Sequence, residues 1–153
     1  MFIEERYKVK VDDLNSIFEF ISEGKNGSIT KIVQFTKTRW EGVYNLGFGD
    51  KNLKTGILDD KVISDNGDFE KVLATVAATV YTFTKFNPNV VVILRATNKA
   101  RIRLYQMAIS KYLEKISKDF DVYGYAQDKA NWELFKRNIN YRGFLLQKKI
   151  NIL

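Results

Sequence analysis

Asn87-Pro88-Asn89-Val90-Val91-Val92-Ile93-Leu94-Arg95-Ala96-Thr97-Asn98 is the stretch on which the fold turns. Proline cannot continue a helical ladder, so Asn87-Pro88-Asn89 closes whatever helix precedes it. Val90 to Leu94 is an uninterrupted apolar run, mostly β-branched, which is the pattern of a strand covered on both faces and therefore central in a sheet. Thr97 or Asn98 then offers a side-chain oxygen to cap a second helix. A buried strand is thus set between two helices.

Upstream, Ser64-Asp65-Asn66-Gly67-Asp68 is a cluster of turn and cap residues, and a helix is expected from Phe69 to about Phe86. Phe69, Val72, Leu73, Val76, Val80 and Phe83 recur at helical spacing, while Ala74, Ala77 and Ala78 keep the remaining surface small, so close packing on more than one side follows. Downstream, the second helix runs to about Ile116, with Tyr105, Ala108, Ile109, Tyr112, Leu113 and Ile116 as one buried stripe and Lys111, Lys115 and Lys118 on the wet face. A strand over Asp121 to Gln127, a polar segment around Trp132 to Asn138 and a last strand near Phe144 to Lys149 complete this half.

The first half reads as strands and turns. Ile17 to Ile21 and Ser28 to Thr38 flank Gly24-Lys25-Asn26-Gly27 and predict a hairpin, and Gly42 to Gly49 adds a third, antiparallel strand. Tyr7, Val9 and Val11 alternate with Lys8 and Lys10 as in one half-buried strand, and Ile57 to Ile63 suggests a short fifth. The result is an α+β fold: a mixed, mostly antiparallel sheet with two main helices. The unit from Val90 to Gln127 is short enough to be a β-α-β step that makes part of the sheet parallel. No repeat or linker divides the chain, so residues 1–153 are expected to form a single domain.

Composition excludes several chemistries. The chain has no cysteine and no histidine, which removes disulfides, thiolate and Ser/His/Asp catalysis, and nitrogen- or sulfur-ligated zinc. The longest apolar run is far below the roughly 20 residues of a membrane span, and MFIEERYKVKVDD is charged from its fourth residue, so neither a signal peptide nor a membrane segment is expected. The cytoplasm is the expected location. The net charge of +7 is uneven: residues 95–153 hold 13 Lys and Arg against 5 Asp and Glu, whereas residues 1–94 hold 12 against 13. A basic last third suits a phosphate-bearing ligand, nucleic acid or an acidic protein, and equally suits plain solubility.

The densest constellation follows the central strand. Helix N-terminal amides favour anions, and Arg95, Lys99, Arg101 and Arg103 cluster around Thr97 and Asn98. Arg101, four residues before Tyr105, falls on the packing stripe, where an arginine requires a partner. An anion clamp built on Arg95, Thr97 and Arg101 and a structural ion pair to Asp59, Asp60 or Asp119 are both open. Exposed aromatics next to cations could stack on bases: Arg39 with Trp40, and Tyr141 with Arg142, stand out among Tyr7, Tyr44, Tyr123, Tyr125 and Phe144. Core packing accounts for such aromatics equally well. Asp59, Asp60, Asp65 and Asp68 lack the spacing of a calcium loop, and neither a metal nor a cofactor is expected. Asp65 or Asp68 instead caps the first helix.

Two resemblances follow. Leu46-Gly47-Phe48-Gly49-Asp50, DNGDFEKVLATVAATV at Asp65 to Val80, and ARIRLYQMAISKYLE at Ala100 to Glu114 together resemble a family of small, uncharacterised bacterial proteins of about this length, which implies a single bacterial domain and no mechanism. The succession of strands and helices is similar at fold level to GNAT-type N-acetyltransferases. That likeness implies coenzyme A bound by a glycine-spaced basic loop, but the corresponding loop here, Asp59 to Asp68, carries four carboxylates and one glycine, which would repel a pyrophosphate. A non-catalytic binding module with a basic, anion-binding surface is therefore the leading expectation, with a nucleic-acid binder and a divergent acetyltransferase-like enzyme as alternatives.

Overall fold

The computed structural model describes residues 5–59, 64–96 and 98–150. Its elements, in order, are β1 (Lys10–Val11), β2 (Ile17–Gly24), β3 (Gly27–Lys37), β4 (Val43–Lys51), β5 (Leu58–Asp59), α1 (Phe69–Phe86), β6 (Val91–Arg95), α2 (Lys99–Lys111), α3 (Leu113–Asp119), β7 (Phe120–Ala126), β8 (Asn131–Leu134) and β9 (Gly143–Lys148). The strands hydrogen-bond in the order β1-β2-β3-β4-β6-β9-β7-β8, with β5 on β4. The fold is α+β with a mixed, mostly antiparallel sheet, as the residue pattern predicts. None of the described helices is long and apolar enough to cross a membrane.

The chain divides into two compact units: Met1–Thr36 with Leu46–Phe86, and Lys37–Asn45 with Asn87–Leu153. In the first, β2 and β3 pair antiparallel from Ile17↔Gln34 to Gly24↔Gly27. Phe18, Phe20, Val33, Phe35, Leu46 and Phe48 are buried with Leu73, Val76, Val80 and Phe83 of α1, and Phe35 stacks on Phe83 at 4.1 Å between ring centroids. Each such side chain contributes about 1.5–3 kcal/mol by leaving water. Phe69, placed on this stripe by its spacing, is instead 39% exposed at the helix start.

Gly24 in the hairpin is required by approach distance. A Cβ there would lie 1.8 Å from the carbonyl oxygen of Asn66, which accepts from the Lys25 amide at 3.1 Å. Buried Asn66 donates through Nδ2 to the Ser22 hydroxyl and the Gly27 carbonyl, and Asp68 accepts from the hydroxyls of Tyr7 and Ser22, both at 2.5 Å. The Asp68 carboxylate thus ties the helix start to the hairpin.

The strand expected over Tyr7 to Val11 contracts to Lys10–Val11, paired with Glu19 and Phe18. The cause is competition for its backbone. The Tyr7 amide donates to the Thr75 hydroxyl of α1 at 2.9 Å and its ring stacks on Phe20, while Asp12 accepts from the Ser16 and Ile17 amides and turns the chain. The expected fifth strand is β5, antiparallel to β4 through Asp50↔Asp59 and Lys51↔Leu58. Residues 60–63 lie outside the described residues.

In the second unit β6 is interior to the sheet, parallel to β4 through Val43↔Val91, Tyr44↔Val92 and Asn45↔Ile93 and antiparallel to β9. β7 is not beside β6, because β9 returns between them and pairs antiparallel with both. The parallel contact in the sheet is therefore β4–β6. Val92, Leu94, Phe120, Val122, Phe144 and Leu146 form the buried side of these strands, closed over by Leu104, Tyr105, Ala108, Ile109, Tyr112 and Ile116. The helix predicted to reach Ile116 breaks at Tyr112 (φ −105°, ψ 18°) into α2 and α3. The alternate strand residues, Val91 and Ile93 of β6, Leu145 of β9, and Tyr123 and Tyr125 of β7, are only half-buried. The full coverage expected for Val90 to Leu94 is met on one side.

Candidate anion-binding site

Strand β6 ends at Arg95 and α2 begins at Lys99, with Asn98 as its cap (φ −93°, ψ 122°). The Asn98 Oδ1 accepts from the Ala100 amide at 2.8 Å, satisfying one of the donors that a helix start leaves open. Thr97, the other predicted cap and a clamp donor, lies outside the described residues. The first turn contains no acidic residue, so no carboxylate of the helix itself offsets its positive end.

The four cations divide. Arg101 is 4% exposed and belongs to the packed stripe with Leu104, Tyr105 and Ala108. It is engaged by an interaction within the chain, so it serves the interior and not an external ligand. Arg95, Lys99 and Arg103 are exposed. Lys99 and Arg103 are four residues apart and share one face of the helix. None of these three forms an ion pair with a carboxylate among the described residues. The accessible part of the predicted cluster is Arg95, Lys99 and Arg103.

The two predicted stacking pairs also part company. The Arg39 guanidinium lies 4.6 Å from the Trp40 ring centroid, and Trp40 is 49% exposed. Their loop is held by Thr38, whose amide and hydroxyl both donate to the Val43 carbonyl. Tyr141, by contrast, is buried. Its ring covers Gly124, where a Cβ would lie 2.5 Å away. Its hydroxyl donates to Glu133 Oε2 at 2.8 Å and accepts from the Lys136 amide at 3.1 Å. Burial first, then this bond to Glu133, raises the Tyr141 hydroxyl above its ordinary range, while the same bond, chiefly, lowers the Glu133 carboxyl. No base can reach that ring, so only exposed Arg142 of this pair remains accessible.

The acidic loop holds no metal cluster among the described residues. Asp65 accepts from the Gly67 amide and pairs with Lys25 at 3.8 Å, Asp68 is held by Tyr7 and Ser22, and Asp60 lies outside the described residues. Two features escaped the sequence reading. Lys31, 1% exposed, pairs with Asp50 at 2.6 Å, with no signal beyond an alternating strand that puts a lysine inward. Trp132, placed in a polar segment, is the second residue of β8 and 40% exposed; the alternation Asn131-Trp132-Glu133-Leu134 was the available signal.

The chain belongs to a family of unknown function (DUF6934), which it matches over residues 3–149. That match agrees with the expectation, carried by the Leu46–Asp50, Asp65–Val80 and Ala100–Glu114 segments, of an uncharacterised family of about this length. No curated protein and no solved structure matches the chain.

Proposed function

We propose that this chain is a small, non-catalytic binding module of the bacterial cytoplasm that holds a negatively charged partner at the start of α2. The observation that carries the reading is the exposure of Arg95, Lys99 and Arg103 around a helix start with no acidic residue in its first turn. Guanidinium and ammonium groups left in water at the positive end of a helix attract phosphate and carboxylate oxygens. The second unit as a whole holds 15 Lys and Arg against 6 Asp and Glu, so long-range attraction acts in the same direction. A phosphate-bearing ligand, a nucleic acid and an acidic protein all meet that description.

The test is titration of the full chain with single-stranded RNA, duplex DNA, polyglutamate and acetyl-CoA at several ionic strengths. Binding to polyanions that weakens linearly in log–log form with salt, with a slope reduced by about one for each of Arg95→Ala, Lys99→Ala and Arg103→Ala, is the expected result. Equal affinity in the triple variant overturns the reading.

A second reading, an acyl-CoA-dependent enzyme, draws on the strand order and on the parallel β4–β6 pair between which α1 crosses. Against it, the segment before α1 is occupied by its own carboxylates and by buried Asn66. Saturable, salt-insensitive acetyl-CoA binding would favour it.

A further inference from the structure

The half-buried side of the second unit's strands carries an ordered row of residues. Arg95 of β6 is directly opposite Gly143 of β9, the Arg142 amide bonds the Tyr125 carbonyl at 3.0 Å and so sets Tyr125 of β7 beside Gly143, and Tyr125 is directly opposite Trp132 of β8. Directly opposed residues project to the same side of a sheet. The adjacent row, Ile93, Leu145, Tyr123 and Leu134, is apolar and aromatic throughout.

Gly143 reveals how the indole lies. A Cβ on Gly143 would sit 3.7 Å from Cη2 of Trp132 and 3.9 Å from Cβ of Arg95. β8 and β9 are separated by β7, hence by roughly 10 Å of sheet. To reach Gly143, the Trp132 side chain must lean across β7 along the sheet surface instead of standing upright. It meets Tyr125 edge-on, at 5.3 Å between centroids and 63° between planes, and stays 40% exposed. The missing side chain at Gly143 makes the space, with the indole tip and the Cβ of Arg95 both bordering that position.

We propose that this face, with Trp132 as platform and Tyr123, Tyr125 and Arg95 around it, binds single-stranded nucleic acid by stacking an unpaired base on the indole. The inference rests on the anion-binding reading above and names its partner. Charge complementarity selects the occupant. A second copy would bring a second unit with 15 cations against 6 carboxylates onto the same surface, whereas a polynucleotide brings phosphates for Arg95 and a flat ring for the indole in one ligand. Base–aromatic stacking beside cations is the physical basis of single-strand recognition, and duplexes are poor ligands because their bases are already stacked.

The chain has two tryptophans, so Trp40→Phe leaves Trp132 as the reporter. In this variant, a single-stranded RNA or DNA octamer should quench the indole emission and bind more tightly than polyphosphate of equal charge, which should bind without quenching. Duplex DNA should behave like polyphosphate. Trp132→Ala should weaken octamer binding about 5- to 150-fold, the loss of one stacked base, with Trp132→Phe retaining most of the affinity and far-UV circular dichroism checking the fold of both. Octamer and polyphosphate binding equally, without quenching, would overturn the platform while leaving the anion site standing. No salt-dependent binding to any polyanion would overturn both. Concentration-dependent dimerisation abolished by Trp132→Ala would make a second copy the occupant and equally sink the proposal. A single-stranded RNA that binds where DNA does not would identify RNA as the source of the base.

Discussion

Asp50→Ala should be among the most damaging single substitutions in the chain. Lys31 is 1% exposed, its ammonium lies 2.6 Å from Asp50 Oδ1 and donates to the Ser64 carbonyl at 3.1 Å. Asp50 also accepts from the Ser64 hydroxyl. At an effective dielectric of about 20, attraction at this separation is about 6 kcal/mol. Taking both charges out of water costs several kcal/mol for each, so the intact pair contributes little net stability. Removing one partner is another matter, because the lysine keeps its desolvation cost and loses the compensation. Asp50→Ala and Lys31→Ala should each cost about 3–5 kcal/mol, whereas Lys31→Met combined with Asp50→Leu should cost much less than the sum of the corresponding single changes. Equilibrium urea unfolding followed by circular dichroism measures each value. Single losses below about 1 kcal/mol, or strict additivity in the cycle, would refute the reasoning, since either means that the ammonium finds water once its partner is gone.

Gly124→Ala should destabilise by about 1–3 kcal/mol, read as a lower thermal midpoint, because its methyl would meet the Tyr141 ring at 2.5 Å; Gly124→Ala made in Tyr141→Ala should recover much of that loss. The Tyr141–Glu133 bond should give stability at both ends of the pH scale its limits. Glu133, lowered in the fold chiefly by this bond, stabilises above the ordinary glutamate range and loses that contribution as pH falls through its folded value; Tyr141, raised by burial and by Glu133, stabilises below about pH 10 and loses its contribution as pH rises through its folded value. The stability gap between the wild type and Tyr141→Phe should therefore be flat near neutrality and narrow toward both acid and alkali, and a gap independent of pH would contradict it. Asn98→Ala should cost about 1 kcal/mol through loss of the bond to Ala100, whereas Asn98→Gly should cost only a few tenths.

Most elements were legible because their periodicities do not conflict. Phe69 to Phe86 carries an unbroken helical spacing, closed by Pro88, and the helix has those bounds; Asn98 was one of two candidate caps and is the one described. Errors arose where a tertiary bond outweighed local pattern. Tyr7, Val9 and Val11 alternate as a strand does, but Tyr7 gives its amide to Thr75, a residue 68 positions away. Strand adjacency was equally hidden, because the insertion of β9 between β6 and β7 depends on which register the last strand finds and not on its own composition. At the candidate site, Arg101 could be placed on the packing stripe by counting residues. Which of Trp132 and Tyr141 faces water could not be counted, because it depends on partners on neighbouring strands, Gly143 and Gly124, that carry no side chain to announce them.

The two compact units sharpen a question of folding, because β4 supplies residues to both: Val43 to Asn45 form the parallel ladder with β6, and Leu46 to Lys51 belong to the other unit. A strand cannot easily keep its extended backbone over three residues while the next six unfold, so loss of either half should weaken the other. A single cooperative transition is the outcome expected if residues 1–153 fold as one domain. Both tryptophans, Trp40 and Trp132, lie in the unit that contains β6, and their fluorescence follows that unit alone. The 18-residue α1 belongs to the other unit and dominates its helical signal. In urea, fluorescence and far-UV circular dichroism should trace superimposable curves with one midpoint. Should the fluorescence transition complete while a separate dichroism transition remains at higher or lower urea, β4 does not couple the units, and each must be treated as a folding domain of its own.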